Sequence, residues 1–279
     1  MRPKNELKTL VADRNGEFKL HLFLAWGCPF CHRVYAAILI TGLSPLVSIT
    51  WTQNIKNSSG WKIGSGEDPL FGFTSLKEIY KNIAFEEGQK PSVPLLVDLE
   101  KRQFLSSDSM AITRLFTSGL NGRFPVKRNI APESLINSIN SCNEWLHKKI
   151  NRQVYRVGFS TSQKEYEAKV EELFQALDYL EDLLACQPFL LGEQLTESDI
   201  YLFATLIRFD CVYYPLFKCS YRHIADYDAL SSFMLRLRKV DHIESSFDEY
   251  LIRQHYFCST MHVDGEERDL NPSRIIPAH

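Results

Sequence analysis

Cys28 and Cys31 stand three positions apart in Trp26-Gly27-Cys28-Pro29-Phe30-Cys31-His32-Arg33, a Cys-Pro-x-Cys turn directly behind an apolar run. The run Phe18-Lys19-Leu20-His21-Leu22-Phe23-Leu24 alternates and then turns apolar, as a strand entering a buried sheet does. Behind the turn, Val34, Ala37, Ile38 and Leu39 recur at helical spacing. Cys28 is therefore predicted near a helix N-terminus, with Pro29 at the first helical position, where its missing N–H costs nothing. The unpaired amides of a first turn favour a negatively charged sulfur. Such sites lower a thiol pKa from about 8.5 to roughly 3.5–7.5, and the thiolate is the reactive form. Redox or thiol-transfer chemistry is the reading that follows. The alternative is a zinc knuckle or a pair of buried structural thiols. Zinc needs two more ligands at close spacing, and neither His32 nor the scattered later cysteines supply a second paired motif.

The elements that would hold such a turn alternate through the first half. The pattern predicts a strand near 18–25, a helix over 30–41, a strand over 46–52 and a helix near 74–85. Strands near 93–98 and 102–106 and a helix over 108–118 follow. That is the thioredoxin-like order, in which the proline of Ser92-Val93-Pro94 is cis and the backbone of Val93 is left to pair with a peptide-like ligand. An ordinary trans-proline at a strand edge is the alternative. Ser106-Ser107-Asp108-Ser109 leads into an apolar-periodic helix and offers caps for its free amides, which can also hold a carboxylate ligand. Between these pieces, residues 54–73 are rich in Gly, Ser and Pro. Trp61 in this loop is either a hydrophobic plug or a ligand wall beside the thiol site.

The pattern changes after Gly119-Leu120-Asn121-Gly122-Arg123-Phe124-Pro125, and the remaining chain reads as helical with little strand signal. The fold class is α/β plus all-α, with an N-terminal thioredoxin-like domain over 1–122 and a C-terminal helical bundle over 123–279. Val170, Leu173, Phe174, Leu177, Leu180 and Leu184 share one face of a helix over 163–185. Leu195-Thr196-Glu197-Ser198-Asp199-Ile200 is a capping box whose role is folding, not catalysis. The tail from Asp241, with Tyr250, His255, Tyr256 and Phe257, is too aromatic to be disordered and is expected to pack back.

With 279 residues, 32 Lys plus Arg and 34 Asp plus Glu, the net charge of -2 makes no electrostatic case for nucleic acid or an anionic membrane. No apolar run is read as approaching the roughly 18–20 residues of a membrane span. Seven cysteines without a framework and an opening without an apolar signal region point to the cytoplasm. The remaining thiols, Cys142, Cys186, Cys211, Cys219 and Cys258, lie in or near apolar helical segments and read as buried. Five of the eight histidines fall after residue 220 at spacings that match no metal site, so no metal is expected.

Taken together, the thiol turn, the Val-Pro before a strand, the Asp-Ser helix start and the helical domain with its capping box resemble the glutathione transferases with cysteine active sites. A narrower set resembles the xi class, the glutathionyl-hydroquinone reductases. It comprises Gly60-Trp61, Asp68-Pro69, Val154-Tyr155-x-x-Gly158-Phe159, Leu195-Thr196-Glu197-Ser198-Asp199-Ile200, Arg208-Phe209-Asp210-x-Val212-Tyr213, Phe217-Lys218-Cys219 and the ending Leu270-Asn271-Pro272-Ser273-Arg274-Ile275-Ile276-Pro277. The resemblance runs from about residue 18 to the C-terminus and implies the glutathione transferase fold, glutathione as co-substrate, aromatic glutathione conjugates as substrates, and a homodimer. It implies Cys28 as nucleophile, with Tyr155 and Tyr213 facing the substrate. Phe30, Trp61, Lys90, Val93, Pro94, Asp108 and Ser109 match glutathione-binding positions. Lys90 stands where the family usually has arginine and supplies charge without a bidentate fork.

The chain departs from the family's usual Cys-Pro-Trp-Ala at Phe30 and Cys31, and has Asp108 where the family usually has glutamate. Cys31 is either a resolving thiol that attacks a Cys28 mixed disulfide or a small buried residue in place of alanine. The alternative activity is therefore an omega- or glutaredoxin-like thiol transferase or dehydroascorbate reductase using both cysteines. A non-catalytic glutathione-binding module would need no nucleophile, which argues against that third reading.

Overall fold

A computed structural model describes residues 19–57, 59–64, 72–83, 90–263 and 266–269. The motif segments Asp68-Pro69 and Leu270 to Pro277 lie outside the described residues, as does Phe18. The chain divides into two compact units, residues 1–128 with 250–279, and residues 129–249. The composition change near residue 122 falls a few residues short of that division. The tail from Tyr250 groups with the first unit rather than with the helices that precede it in sequence, because its bonds go to Asn54 and Lys56.

In the first unit, strand β1 (Leu20–Leu24) leads into helix α1 (Pro29–Thr41) and parallel strand β2 (Val47–Trp51). Helix α2 (Leu76–Asn82), antiparallel strands β3 (Leu95–Asp98) and β4 (Gln103–Ser106) and helix α3 (Ser109–Thr117) complete it. The sheet order is β2-β1-β3-β4. Every residue of β1 is buried, as a strand flanked on both sides must be, so the partial alternation around His21 does not mark a solvent face. His21 takes part through Nδ1, 2.7 Å from the Ser48 hydroxyl. Full burial of Leu22, Phe23 and Leu24 contributes about 1.5–3 kcal/mol each. Helix α1 ends at Gly42, whose φ of 73° is the left-handed turn that glycine adopts without a Cβ penalty.

In the second unit, α4 (Ile136–Leu146), α5 (Gln153–Gly158), α6 (Gln163–Cys186), α7 (Glu197–Leu206) and α8 (Asp228–Arg238) form a helical bundle. The expected stripe on α6 is buried from Val170 to Leu184. The capping box forms as read: Asp199 Oδ2 accepts from the Thr196 N–H and hydroxyl at 2.7 and 2.9 Å, and Oδ1 accepts from the Leu190 N–H at 2.8 Å. Two π-turns, His147–Asn151 and Phe209–Tyr213, interrupt the helical phase and were not legible as helix breaks.

The run Glu197–Phe217 corrects the expectation that no segment approaches a membrane span. It is long and apolar enough, but 72% of it is buried inside the protein, which accounts for its composition as core. Helix α9 (Glu249–Cys258) is followed by a hairpin of β5 (Thr260–Val263) and β6 (Glu266–Asp269), strands that the helical reading of this half does not anticipate.

Candidate active site

Cys28 is the N-cap of α1, in extended conformation with φ −75° and ψ 120°, and Pro29 opens the helix. Its N–H bonds the Ala25 carbonyl at 3.2 Å and its carbonyl accepts from the His32 N–H at 3.0 Å, closing the turn that opens the helix. The Sγ atom lies 3.9 Å from the Val93 carbonyl oxygen, and the Val93-Pro94 bond is cis, as the thioredoxin-like order predicts. Cys28 is 9% exposed, enough for one face to be reached. Cys31, on the first turn of α1, is buried at 1%.

Lys56 joins this group although nothing in the local sequence pattern marks it. Burial pulls its pKa below the ordinary lysine value, the Cys28 charge opposes that shift and Lys90 adds to it, so the three groups share one electrostatic neighbourhood. The Lys56 ammonium is 5.8 Å from the centre of the Trp61 ring. The Lys56 cation coupled to this sulfur favours a negative charge there. Trp61 is 8% exposed and stacks on His255, so most of its ring is a plug in the core. Phe30 is half-buried, with the Arg33 guanidinium 5.1 Å from its ring centre, and Lys90 is exposed.

Asp108 caps α3 by accepting from the Met110 and Ala111 N–H groups at 2.9 and 3.4 Å. Next to it, Ser109 is held by buried Arg33, whose Nε–H and a terminal N–H both donate to the hydroxyl oxygen. With its oxygen so occupied, the Ser109 hydroxyl is biased to act as a donor toward a carboxylate at the helix N-terminus. The side chain of Arg33 thus orients the Ser109 hydroxyl. Ser109→Ala is expected to cost about 2–3 kcal/mol, because it takes an acceptor from a buried guanidinium, and to raise the glutathione KM. Urea unfolding and initial-rate measurements on the variant check both.

In the helical unit, Tyr155 and Tyr213 come together with ring centres 5.9 Å apart. Phe217 lies 5.3 Å from Tyr155 and stacks on Tyr213 at 5.4 Å, while Phe159 closes the cluster. Gly158 permits it: a Cβ there would stand 2.5 Å from Phe217 Cγ. Tyr213 is buried and Tyr155 half-buried. The π-turn sets the aim of Tyr213, since both Val212 and Tyr213 donate to the Arg208 carbonyl at 2.9 and 3.1 Å. Buried Arg208 ties to the Ala204 carbonyl at 2.7 Å, and the Asp210 carboxylate takes the Ile224 and Ala225 N–H groups at 2.7 and 3.0 Å. The motif Arg208 to Tyr213 therefore builds a turn as well as presenting a phenol. Among the described residues, no three His, Cys, Asp or Glu side chains converge to hold a metal ion.

Residues 163–236 match the family model described as glutathione S-transferase, C-terminal domain. Glutathionyl-hydroquinone reductase YqjG of Escherichia coli is 31% identical over 92% of this chain and 78% of its own length. Its glutathione-bound structure superposes with a TM-score of 0.85 over 94% of this chain and 84% of that one, at 30% identity. Glutathionyl-hydroquinone reductase PcpF of Sphingobium chlorophenolicum is 30% identical over 93% of this chain and 82% of its own. Glutathione transferase Xi 1 of Trametes versicolor is 33% identical with a TM-score of 0.85, over 93% of this chain and 90% of that one.

Proposed function

This chain belongs to the glutathionyl-hydroquinone reductases, the xi-class glutathione transferases, and from that membership we propose that it reduces glutathionyl-hydroquinones with glutathione through Cys28. The observation that carries the reading is the Cys28 thiol at the N-cap of α1, with the Lys56 charge in its neighbourhood. The Cys28 thiolate attacks the glutathionyl sulfur, forming a Cys28–glutathione disulfide. The S–C bond breaks with its electron pair going to the aromatic carbon, which takes up a proton and leaves as the hydroquinone. A second glutathione thiolate attacks the mixed disulfide, restoring Cys28 and releasing oxidised glutathione. The aromatic carbon gains two electrons and a proton, while the conjugate's glutathionyl sulfur and the thiol of one added glutathione become one disulfide, so the electrons balance.

In this reading Tyr155 and Tyr213 face the substrate as phenol donors that bind the quinol hydroxyls or supply the proton. Trp61, Val93, Pro94, Asp108, Ser109, Phe30 and Lys90 line the glutathione side, with Val93 pairing through its backbone. Lys56 is added to them. None of the seven cysteines is in a disulfide, which suits a cytoplasmic enzyme running on reduced glutathione, and family likeness supports a homodimer; of the later thiols expected to be buried, Cys219 is, whereas Cys186 is exposed and Cys142, Cys211 and Cys258 are half-buried.

The test compares a glutathionyl-hydroquinone with a mixed-disulfide substrate. Turnover of the conjugate is expected, and Tyr155→Phe and Tyr213→Phe are each expected to lower it by about 10–100-fold while sparing reduction of the mixed disulfide. Failure on the conjugate alongside Cys31-dependent reduction of the mixed disulfide would replace this reading with the dithiol transferase.

A further inference from the structure

The C-terminal helix α9 and the two residues that follow it, Ser259 and Thr260, grip the loop before Trp61. Asn54 Nδ2 donates to the Leu251 carbonyl at 2.7 Å and to Gln254 Oε1 at 2.9 Å. The Lys56 N–H donates to the Ser259 hydroxyl oxygen at 2.9 Å, and the Thr260 N–H to the Lys56 carbonyl at 3.0 Å. His255 sits at the centre of this grip, 4% exposed. Its Nδ1 is 2.8 Å from the Asn54 carbonyl oxygen, and since a carbonyl only accepts, Nδ1 carries the proton.

The same imidazole touches both halves of the thiol site. It stacks on Trp61 with ring centres 5.2 Å apart and planes 13° from parallel. It also occupies the side-chain space of Gly27: a Cβ there would lie 2.2–2.4 Å from His255 Cγ, Cβ and Cδ2. Gly27 is not in the left-handed region, so the backbone itself would take any residue. Glycine is required at this point because the ring is there. Gly27 immediately precedes Cys28, so the distance from α9 to this turn sets where the sulfur stands.

We propose that His255 is a positioning residue of the glutathione half-site, one imidazole that spaces the Cys28 turn from Trp61 while its Nδ1–H pins the Lys56 loop. The proposal rests on Cys28 being the nucleophile, and not on which conjugate it serves. The C-terminal helix is then part of the active site through contact with its frame.

The experiment is a double-mutant cycle with Gly27→Ala, His255→Ala and the pair, plus His255→Phe, which keeps the stacked ring and removes the Nδ1–H. Three readouts are followed: the pH dependence of Cys28 alkylation by iodoacetamide, measured on the Cys28 peptide by mass spectrometry, the rate of Cys28 glutathionylation by oxidised glutathione, and the glutathione KM and kcat. Gly27→Ala is expected to lose about 10–100-fold in Cys28 reactivity, as a displaced turn would. Adding His255→Ala opens the space and should return the pair to within about threefold of His255→Ala alone. His255→Phe is expected to raise the glutathione KM with a smaller effect on alkylation. An unaffected Gly27→Ala, costs that multiply in the pair, or a His255→Phe enzyme with wild-type KM would each overturn the assignment. If His255→Ala fails to fold, Gly27→Ala and His255→Phe still decide it. Because alkylation and glutathionylation are read at Cys28 itself, a wild type inactive on hydroquinone conjugates would sink the substrate reading and leave this test intact.

Discussion

Cys28→Ser is expected to abolish turnover, by at least about a thousandfold, with the fold retained. The hydroxyl is nearly the size of the thiol, so the packing beside Val93 and at the start of α1 changes little. The chemistry changes because a serine hydroxyl cannot form a mixed disulfide, and its proton is not removed by a helix N-terminus and a nearby lysine. No residual path through the tyrosine pair is available, since the bond being broken needs a sulfur acceptor for the glutathionyl group. A Cys28→Ser enzyme with more than about one per cent of wild-type activity would remove Cys28 from the mechanism. Cys31→Ser is the companion. Its 1% exposure on the first turn of α1 favours a packing role, so activity is expected within about threefold of wild type. Mass spectrometry of the wild type during turnover should find glutathione on Cys28, and accumulation of a Cys28–Cys31 disulfide instead would assign the resolving step to Cys31.

The second large effect lies in the capping box. Asp199→Asn is expected to destabilise the protein by about 3 kcal/mol at neutral pH. One carboxylate holds three donors, the Thr196 N–H, the Thr196 hydroxyl and the Leu190 N–H, in full burial. An amide turns its NH2 toward one set of donors whichever way it is placed, leaving a buried N–H unmade at about 1–3 kcal/mol in addition to the lost cap. Burial also raises the Asp199 carboxyl from 3.8 to about 6, outweighing the hydrogen bonds that favour its charge. The folded state therefore holds this proton more tightly than the unfolded chain. Its stabilising contribution is full below about pH 4 and is lost as pH rises through about 6, a change of about 3 kcal/mol. Asparagine has no such titration, so the gap between wild type and Asp199→Asn should widen as pH falls from 7 to 5. Urea unfolding at the two pH values reads this directly, and a gap that stays the same would show that the carboxylate is charged throughout.

Much of the thiol site was legible because its signals are local. A cysteine followed by proline at the head of an apolar-periodic helix, a Val-Pro before an apolar strand and an Asp-Ser helix start depend on neighbours within one or two turns. The structure returns β1, α1, β2, β3, β4 and α3 within two or three residues of the predicted spans, with Cys28 and Asp108 at the caps. Thr196 and Asp199 were readable for the same reason, three residues apart on one turn. Tyr155 and Tyr213 were found only through resemblance, since no period or spacing distinguishes them from other helical tyrosines.

What the amino-acid order determined by itself is the succession of strands and helices, the thiol at a helix start and the change to helical bundle beyond residue 122. Tertiary structure alone decided that Lys56 shares the Cys28 neighbourhood, that Arg33 holds Ser109 and that π-turns reset the phase before Tyr213. It also decided that His255 fills the side-chain space of Gly27 and stacks on Trp61. The physical reason is range. Backbone propensity, caps and apolar periodicity act within a few residues, whereas a contact between Asn54 and His255 spans about two hundred and exists only once the core has brought them together.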